Sequence, residues 1–221
     1  MQARAVQLFQ DSDLIIFDLD GTLIDSSQDI ALAVNVALQS LGLHPWPVSE
    51  IKKMIGHGAR ELVKRALSYK EDHFKAAFKA FSDHYSKNLL THTRLYPGAK
   101  EVLQKLKTKK MAVLSNKRQS FCDPIIDGLS VRSYFQWVYG GDRLHEKKPS
   151  PVPIEHLLKE ANVAPARALI VGDSSIDIEA GKLARIRTVG FYNGLCPKAE
   201  VENAKPDFLV SHFEQLSSFL D

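Results

Sequence analysis

Cysteine is scarce in this chain, and the two cysteines that it has stand alone. Among 221 residues only Cys122 and Cys196 are present, with no CxxC pair and no spacing typical of a metal site. Such usage does not suggest a disulfide framework. A reduced, intracellular environment is the better interpretation, and we expect a cytoplasmic protein.

Long apolar runs and a strong charge of either sign are also missing. No apolar run approaches 18 residues, and the N-terminus has no charged-then-apolar leader, so we expect neither membrane insertion nor secretion. The 29 basic and 26 acidic side chains leave a net charge of +3. This excess could favour small anionic substrates but is too weak to indicate nucleic acid. The sequence leaves open whether the protein is a monomer or a homodimer.

What the sequence does contain is a short apolar segment that ends in two aspartates, LIIFDLDGT at residues 14–22. Its four apolar residues predict a strand buried on both faces. Asp18 and Asp20 follow at the carboxyl end, where open α/β sheets bind ligands. Two carboxylates about 4 Å apart repel by roughly 4 kcal/mol at an effective dielectric constant near 20, so we expect a cation beside them. Taken alone, the pattern more often marks a Ca²⁺ loop, a helix cap or two solvated aspartates.

The rest of the chain divides into a helical stretch and an alternating one. Residues from about 25 to 92 have helical apolar spacing with no predicted strand, whereas short apolar strands alternate with helices after residue 95. This alternation predicts right-handed βαβ crossovers and a parallel sheet. We therefore predict an α/β fold: a Rossmann-like doubly wound parallel sheet formed by residues 1–23 and 95–221. An inserted α-helical cap domain, residues 24–94, would join it near Ile24 and Leu95.

Four polar clusters follow predicted strands or lie in loops on the same side: Asp18 with Asp20, Ser115 with Asn116, Lys148, and Asp173 with Asp177. If the strands belong to one sheet, these side chains converge. The carboxylates would suit Mg²⁺, the lysine would supply a fixed positive charge, and the serine and asparagine would donate hydrogen bonds to a phosphate. Each cluster alone has a simpler explanation, as a turn, a solvated loop charge or a helix cap. All four in this order make those explanations much less favoured.

Four segments carry a family resemblance. DLDGTLIDS, LSNK, KKPSPVP and GDSSIDIEA resemble the four motifs of the haloacid dehalogenase-like superfamily of phosphohydrolases, in order and in strand-end placement. The motifs span nearly the whole chain, and the helical insert after the first is similar to that superfamily's cap. Asp20 is the second aspartate that phosphatases of the superfamily keep and its dehalogenases lack.

The resemblance implies catalytic roles for three residues. Asp18 would be the nucleophile that attacks phosphorus and forms a phosphoaspartate. Asp20 would protonate the leaving alkoxide and then take a proton from the hydrolytic water. Lys148, which directly precedes Pro149, would neutralise Asp18 and the phosphoryl group as charge shifts.

The same resemblance implies the ligand-binding residues. Mg²⁺ would be held by the carboxylates of Asp18 and Asp173 and by the main-chain carbonyl of Asp20. Asp177 would act nearby, through water or by positioning Lys148. The hydroxyl of Ser115 and the N–H of Asn116 would hold the phosphoryl oxygens.

Within the superfamily, the sequence most resembles the phosphoglycolate phosphatases. The resemblance lies in MIGHGARELVKRAL, LYPGAKEVLQKLK, LSNK and GGDRLHEKKPSPVP. It implies that the cap loop at Gly56, His57 and Arg60 faces the catalytic aspartates. His57 or Arg60 could then meet a substrate carboxylate; a plain helix-breaking turn with Arg60 in solvent is an equal alternative. Ser115 replaces a threonine common in relatives but keeps the hydroxyl.

Other functions stay open at this stage. The substrate could be a sugar phosphate, a nucleotide or pyrophosphate, and a β-phosphoglucomutase is also possible. A phosphonate hydrolase would need a cap lysine that forms a Schiff base, but Lys52, Lys53 and Lys64 fit solvated helix faces. An inactive phosphate-binding module is the alternative from a different class, although no expected catalytic residue is missing.

Overall fold

A six-stranded parallel sheet forms the centre of this computed structural model, which describes residues 7–219. Its strand order is β5–β4–β1–β6–β7–β8, so β1 lies between β4 and β6. In chain order the strands are β1 (Leu14–Phe17), β2 (Ile24–Asp25), β3 (Arg94–Leu95), β4 (Lys110–Leu114), β5 (Trp137–Tyr139), β6 (Ala168–Gly172), β7 (Arg187–Phe191) and β8 (Phe208–Val210).

The first strand is buried on both faces, as its uninterrupted apolar run predicts. Leu14 and Ile16 pack into one apolar cluster, whereas Ile15 and Phe17 pack into the other, since successive side chains of a strand point to opposite faces. In register, Phe17 pairs with Val113 of β4 and with Val171 of β6. These three strands therefore end at one edge of the sheet, and the polar residues that follow them meet there.

Helices cover both faces of the sheet, as expected for parallel strands joined by crossovers. The predicted α/β doubly wound architecture is confirmed. The α-helices of the described residues are α1 (Ser27–Gln39), α2 (Val48–Lys52), α3 (Ala59–Ala66), α4 (Phe74–Lys87), α5 (Ala99–Lys105), α6 (Gln119–Gly128), α7 (Val152–Ala161), α8 (Ser175–Leu183), α9 (Lys198–Asn203) and α10 (Phe213–Phe219), and a helix also includes residues 7–10.

Helices α1 to α4 lie in one insertion between β2 and β3. These two short strands pair antiparallel, Ile24 with Leu95 and Asp25 with Arg94, at the two predicted crossings. Buried Asp29, in the first turn of α1, holds the returning chain by accepting hydrogen bonds from the backbone N–H groups of His92 and Thr93. The division into a core and a cap at residues 24–94 stays a prediction.

One local prediction in the insertion was wrong in detail. Asp25 belongs to a strand, although the segment from about residue 25 was predicted to contain none. Helix α3 ends at Ala66, and Ser68 and Tyr69 just beyond it adopt positive φ angles of 51° and 60°. An α-helix requires negative φ at each residue, so it cannot continue through them.

Across residues 7–219, none of the helices combines the length and the apolar character that a membrane crossing requires. The cytoplasmic location and the absence of nucleic acid as a partner stay predictions.

Candidate active site

Asp18 and Asp20 follow β1 directly, so they lie at the edge of the sheet where β4 and β6 also end. Asp18 is buried, and its backbone N–H still bonds to the carbonyl of Val171 at 2.9 Å, which continues the pairing with β6. The chain then turns, and the N–H of Gly21 bonds to the carbonyl of Ile24 at 2.8 Å. The nucleophile predicted from the sequence thus directly follows one of the two central strands.

Lys148 joins two of the acids. Its Nζ lies 2.6 Å from Asp18 Oδ1, 2.6 Å from Asp177 Oδ1 and 2.6 Å from the carbonyl oxygen of Leu114. The residue is only 3% exposed. Burial opposes its charge, but Asp177 and Asp18 outweigh that effect and hold the pKa of Lys148 above its usual value. The amine is therefore a fixed cation among the carboxylates.

Three buried carboxylates cluster closely enough to hold a metal ion. Oxygens of Asp18, Asp173 and Asp177 all lie within 4.8 Å of one another. Burial raises the pKa of Asp18 to about 7, with Lys148 opposing the shift and Asp177 adding to it. Burial, followed by the charges of Asp18 and Asp177, also raises the pKa of Asp173. One lysine does not balance three acids, so this donor set fits a hard divalent cation.

One carboxylate oxygen of Asp177 accepts hydrogen bonds at the start of its own helix. As the third residue of α8, it accepts hydrogen bonds through Oδ2 from the hydroxyl of Ser174 at 2.6 Å and from its N–H at 3.2 Å. Such reciprocal capping fixes the start of the helix. Since its other oxygen contacts Lys148, the geometry fits the predicted role of positioning that lysine.

Asp173 is held by a loop that sequence reasoning missed. Its Oδ2 accepts hydrogen bonds from the backbone N–H groups of Leu195 at 2.7 Å and Cys196 at 3.2 Å. Thr22 donates to the other oxygen at 3.3 Å. The loop that follows β7 therefore closes over the acidic cluster. These contacts could not be predicted from residue types, because backbone N–H groups make them.

Ser115 and Asn116 follow β4, beside the acids. Ser115 is buried, and its hydroxyl accepts the N–H of Lys117 at 3.2 Å. The side-chain amide of Asn116 donates to the carbonyl of Gly56 in the insertion at 3.0 Å and to that of Lys148 at 2.9 Å. Asn116 thus links the insertion to the lysine loop. Its buried side-chain oxygen has no hydrogen-bond partner.

Lys117 is a site residue to which the sequence analysis gave no role. Its Nζ lies 2.8 Å and 2.9 Å from the two carboxylate oxygens of Asp20 and 4.8 Å from the ring centroid of Tyr85. Its side chain is only 5% exposed. Ser26 also donates to Asp20 through its hydroxyl. The LSNK motif was the available signal, but a lysine after a turn resembles an ordinary surface charge.

Of the three predicted cap residues, the structure places one at the cavity and two elsewhere. Gly56 lines the cavity between the insertion and the sheet edge, but neither His57 nor Arg60 is among the lining residues that the structure describes. The guanidinium of Arg60 lies over the rings of Phe74 and Phe78, 5.0 Å and 5.5 Å from their centroids. His57 accepts a hydrogen bond from Lys147 through its carbonyl at 2.7 Å. This placement does not support substrate contacts by these two side chains, which stay predictions.

Comparison with known proteins identifies the family of this chain. The model of the haloacid dehalogenase-like hydrolase family matches residues 15–191. The chain belongs to the haloacid dehalogenase-like hydrolase family. The superfamily predicted from the four motifs is thereby confirmed.

Several relatives are similar over nearly their whole length. The phosphoglycolate phosphatase of Aquifex aeolicus is 40% identical, with 94% of this chain and 96% of the relative covered. That of Colwellia psychrerythraea is 35% identical over the same shares. The crystal structure of a predicted phosphoglycolate phosphatase from Haemophilus somnus matches with a TM-score of 0.90 and 33% identity, covering 96% of this chain and 99% of that one. The prediction of an enzyme in the phosphoric monoester hydrolase class is confirmed.

Proposed function

We propose that this protein is a Mg²⁺-dependent phosphomonoester hydrolase that works through a phosphoaspartate, with phosphoglycolate or a similar small phosphorylated metabolite as substrate. The observation that carries the proposal is the position of Lys148, 2.6 Å from both Asp18 and Asp177 and beside the Asp173 carboxylate cluster. The names of the relatives supply the substrate class.

Asp18 performs the first step. One carboxylate oxygen forms a bond to phosphorus as the bond from phosphorus to the leaving oxygen breaks, and the leaving oxygen takes a proton from Asp20. Lys148 stabilises the charge that moves between the carboxylate and the phosphoryl group. Ser115, through its hydroxyl, and Asn116, through its N–H, hold the phosphoryl oxygens.

Asp20 also serves the second step. It accepts a proton from the water that attacks phosphorus, and the bond from phosphorus to the Asp18 oxygen breaks to release inorganic phosphate. The sum is one ester and one water converted to one alcohol and one phosphate. Two displacements replace one difficult displacement, which suits a reaction whose uncatalysed form is among the slowest known.

The carboxylates of Asp18 and Asp173 would hold Mg²⁺ together with the main-chain carbonyl of Asp20. A divalent cation supplies charge neutralisation for a phosphate that approaches three carboxylates. Asp177, with one oxygen on Lys148 and the other on Ser174, positions the lysine.

Residues 24–94 would act as the cap. The paired strands β2 and β3 provide two adjacent crossings, so this unit could move as a lid that excludes water in the first step and admits it in the second. The cap lysines do not favour a phosphonate hydrolase, since each pairs with an acid: Lys52 lies 3.9 Å from Asp25, Lys53 2.8 Å from Glu50 and Lys64 3.7 Å from Glu71.

A phosphate-release assay with Mg²⁺ over a metabolite panel tests the proposal. The panel compares phosphoglycolate with sugar phosphates, nucleotides and pyrophosphate, and Asp18→Asn is the inactive control. Brief incubation with ³²P-labelled substrate followed by acid quench should label the wild type and not the variant. Absence of phosphate release across the panel would favour the binding module over the enzyme.

A further inference from the structure

Two lysines line the cavity, and only one of them has a role in the proposed reaction. Lys148 is committed to Asp18 and Asp177, whereas Lys117 has no contact with the acids of the metal cluster in the described hydrogen bonds. The described lining contains no arginine and no histidine. In the described lining, Lys117 is therefore the remaining cation that a bound molecule could meet.

Tyr85 stands beside this lysine and has an unused polar group. It comes from helix α4 of the insertion, is 1% exposed and lines the cavity, yet its hydroxyl has no hydrogen-bond partner. A buried hydroxyl without a partner is unfavourable, so it is a candidate to donate to a ligand. Burial raises the pKa of Tyr85 to about 12, which keeps the phenol proton in place at neutral pH.

The rest of the wall on the insertion side is apolar. Its described side chains include Ile30, Ile55, Leu62 and Phe81, and Phe121 of α6 adjoins Tyr85 with the ring centroids 5.1 Å apart. An apolar wall does not compensate a second negative charge on the substrate. Within the described wall, Lys117 and Tyr85 are the pair that could receive one.

We propose that Lys117 and Tyr85 form a subsite for a carboxylate on the leaving group of the substrate. The inference rests on the proposed phosphatase function and deepens it: the substrate class becomes the phosphate esters of small hydroxy acids. Lys117 supplies the charge from the sheet edge, and Tyr85 supplies a hydroxyl from the insertion. A carboxylate bound by both groups would hold the insertion against the sheet edge.

Lys117 also connects this subsite to Asp20. In the present arrangement its amine contacts both carboxylate oxygens of Asp20, and Ser26 bonds to one of them as well. A substrate carboxylate that takes over one contact of Lys117 frees an oxygen of Asp20 to face the leaving oxygen. With a substrate that has no carboxylate, Lys117 stays on Asp20, and we expect a lower kcat/KM.

Paired substrates test the subsite. Phosphoglycolate and ethyl phosphate share a two-carbon leaving group, but only the first bears a carboxylate. The readout is the ratio of their kcat/KM values, with kcat and KM determined separately. We expect the wild type to prefer phosphoglycolate, Lys117→Met to lower the ratio by about 10- to 100-fold and Tyr85→Phe by about threefold to tenfold. Lys53→Met, which removes an exposed lysine paired with Glu50, should leave the ratio unchanged.

The outcomes separate the two proposals. A wild type that releases phosphate from neither substrate nor any other phosphomonoester contradicts the proposed function itself. A wild type that is active but shows no preference for phosphoglycolate, or a Lys117→Met variant that slows both substrates equally, overturns the carboxylate subsite alone. If Lys117→Met does not fold, Tyr85→Phe decides, since it keeps the ring and removes a hydroxyl with no partner; an unchanged ratio then overturns the subsite.

Discussion

Lys148 and Asp18 are 130 positions apart in sequence, yet their side chains meet at 2.6 Å, with the lysine 3% exposed. The amine makes the same contact with Asp177 on its other side. A buried lysine shared by two acids cannot be removed without leaving both carboxylates short of their partner. We therefore expect loss of this lysine to affect both the stability of the protein and the proposed chemistry.

Replacement of Lys148 by methionine should lower both the stability of the protein and its activity. We expect the metal-free protein to lose about 3–5 kcal/mol of unfolding free energy, as buried pairs do when one partner is removed, and kcat to fall by at least about 10²-fold. Lys147→Met is the matched control, because Lys147 is exposed and its side-chain amine bonds only to the carbonyl of His57 among the described hydrogen bonds. Its stability should change by less than about 1 kcal/mol. Urea unfolding in EDTA and phosphate release measure the two effects; equal losses in both variants would contradict the assignment of Lys148.

Removal of the metal should abolish phosphate release, and Mg²⁺ should restore it. Binding to the folded state should also stabilise the wild type, by about 2.7 kcal/mol at a Mg²⁺ concentration 100 times the dissociation constant. Asp173→Asn removes one charge from a crowded acidic cluster, so the metal-free variant should be no less stable than the metal-free wild type. Thermal unfolding with and without Mg²⁺ checks this pattern. A variant that Mg²⁺ stabilises as much as the wild type would exclude Asp173 as a ligand.

Gly58→Ala should weaken catalysis through the contact between the insertion and the sheet edge. Gly58 has a φ of +88°, and a Cβ there would lie 2.8 Å from the carbonyl oxygen of Asn116, a backbone atom that cannot move aside easily. We expect kcat/KM to fall by about 10- to 100-fold, because a displacement near 1 Å has effects of this size. Gly42→Ala controls for the strain of positive φ, since Gly42 has a φ of +71° and nothing within 4 Å of its Cβ position. Unchanged kcat/KM in Gly58→Ala would show that this contact is not needed.

Asp29→Ala should destabilise the attachment of the insertion. The buried carboxylate accepts the N–H groups of His92 and Thr93 at 2.9 Å and 2.8 Å and the hydroxyl of Thr93 at 2.8 Å. Hydrogen bonds to charged groups contribute about 1.5–3 kcal/mol each, so a loss of at least about 2 kcal/mol is expected. Gln28→Ala, at the exposed neighbouring position, should cost less than about 0.5 kcal/mol. Chemical denaturation compares the two, and similar small losses would mean that Asp29 does not anchor the chain where it returns from the insertion.

Much of the site could be located from sequence because strands end where their apolar runs end. Asp18, Ser115 and Asp173 each follow such a run, and parallel neighbours bring those ends to one edge. Lys148 was included among these polar groups because it lies in a loop on the same side, and the family resemblance then supplied its catalytic role. The roles of these residues remain proposals for experiment.

Other contacts could not be predicted from residue types. The N–H groups of Leu195 and Cys196 bind Asp173, and every residue except proline offers such a donor. Lys117 was overlooked because its burial depends on Tyr85 and Asp20, which lie far from it in the chain. For Arg60, a substrate contact and a position in solvent were equal alternatives, and neither anticipated that its guanidinium would lie over the rings of Phe74 and Phe78.

The sequence by itself determined the order of strands and helices, the family and the edge of the sheet at which the polar groups gather, because apolar periodicity and strand ends are local properties. The tertiary structure alone decided which acid each lysine contacts, which loop covers Asp173 and which insertion residues line the cavity. Those pairings depend on distances between segments that are remote in the chain, and a difference of a few ångströms determines whether two charges interact strongly or only through solvent.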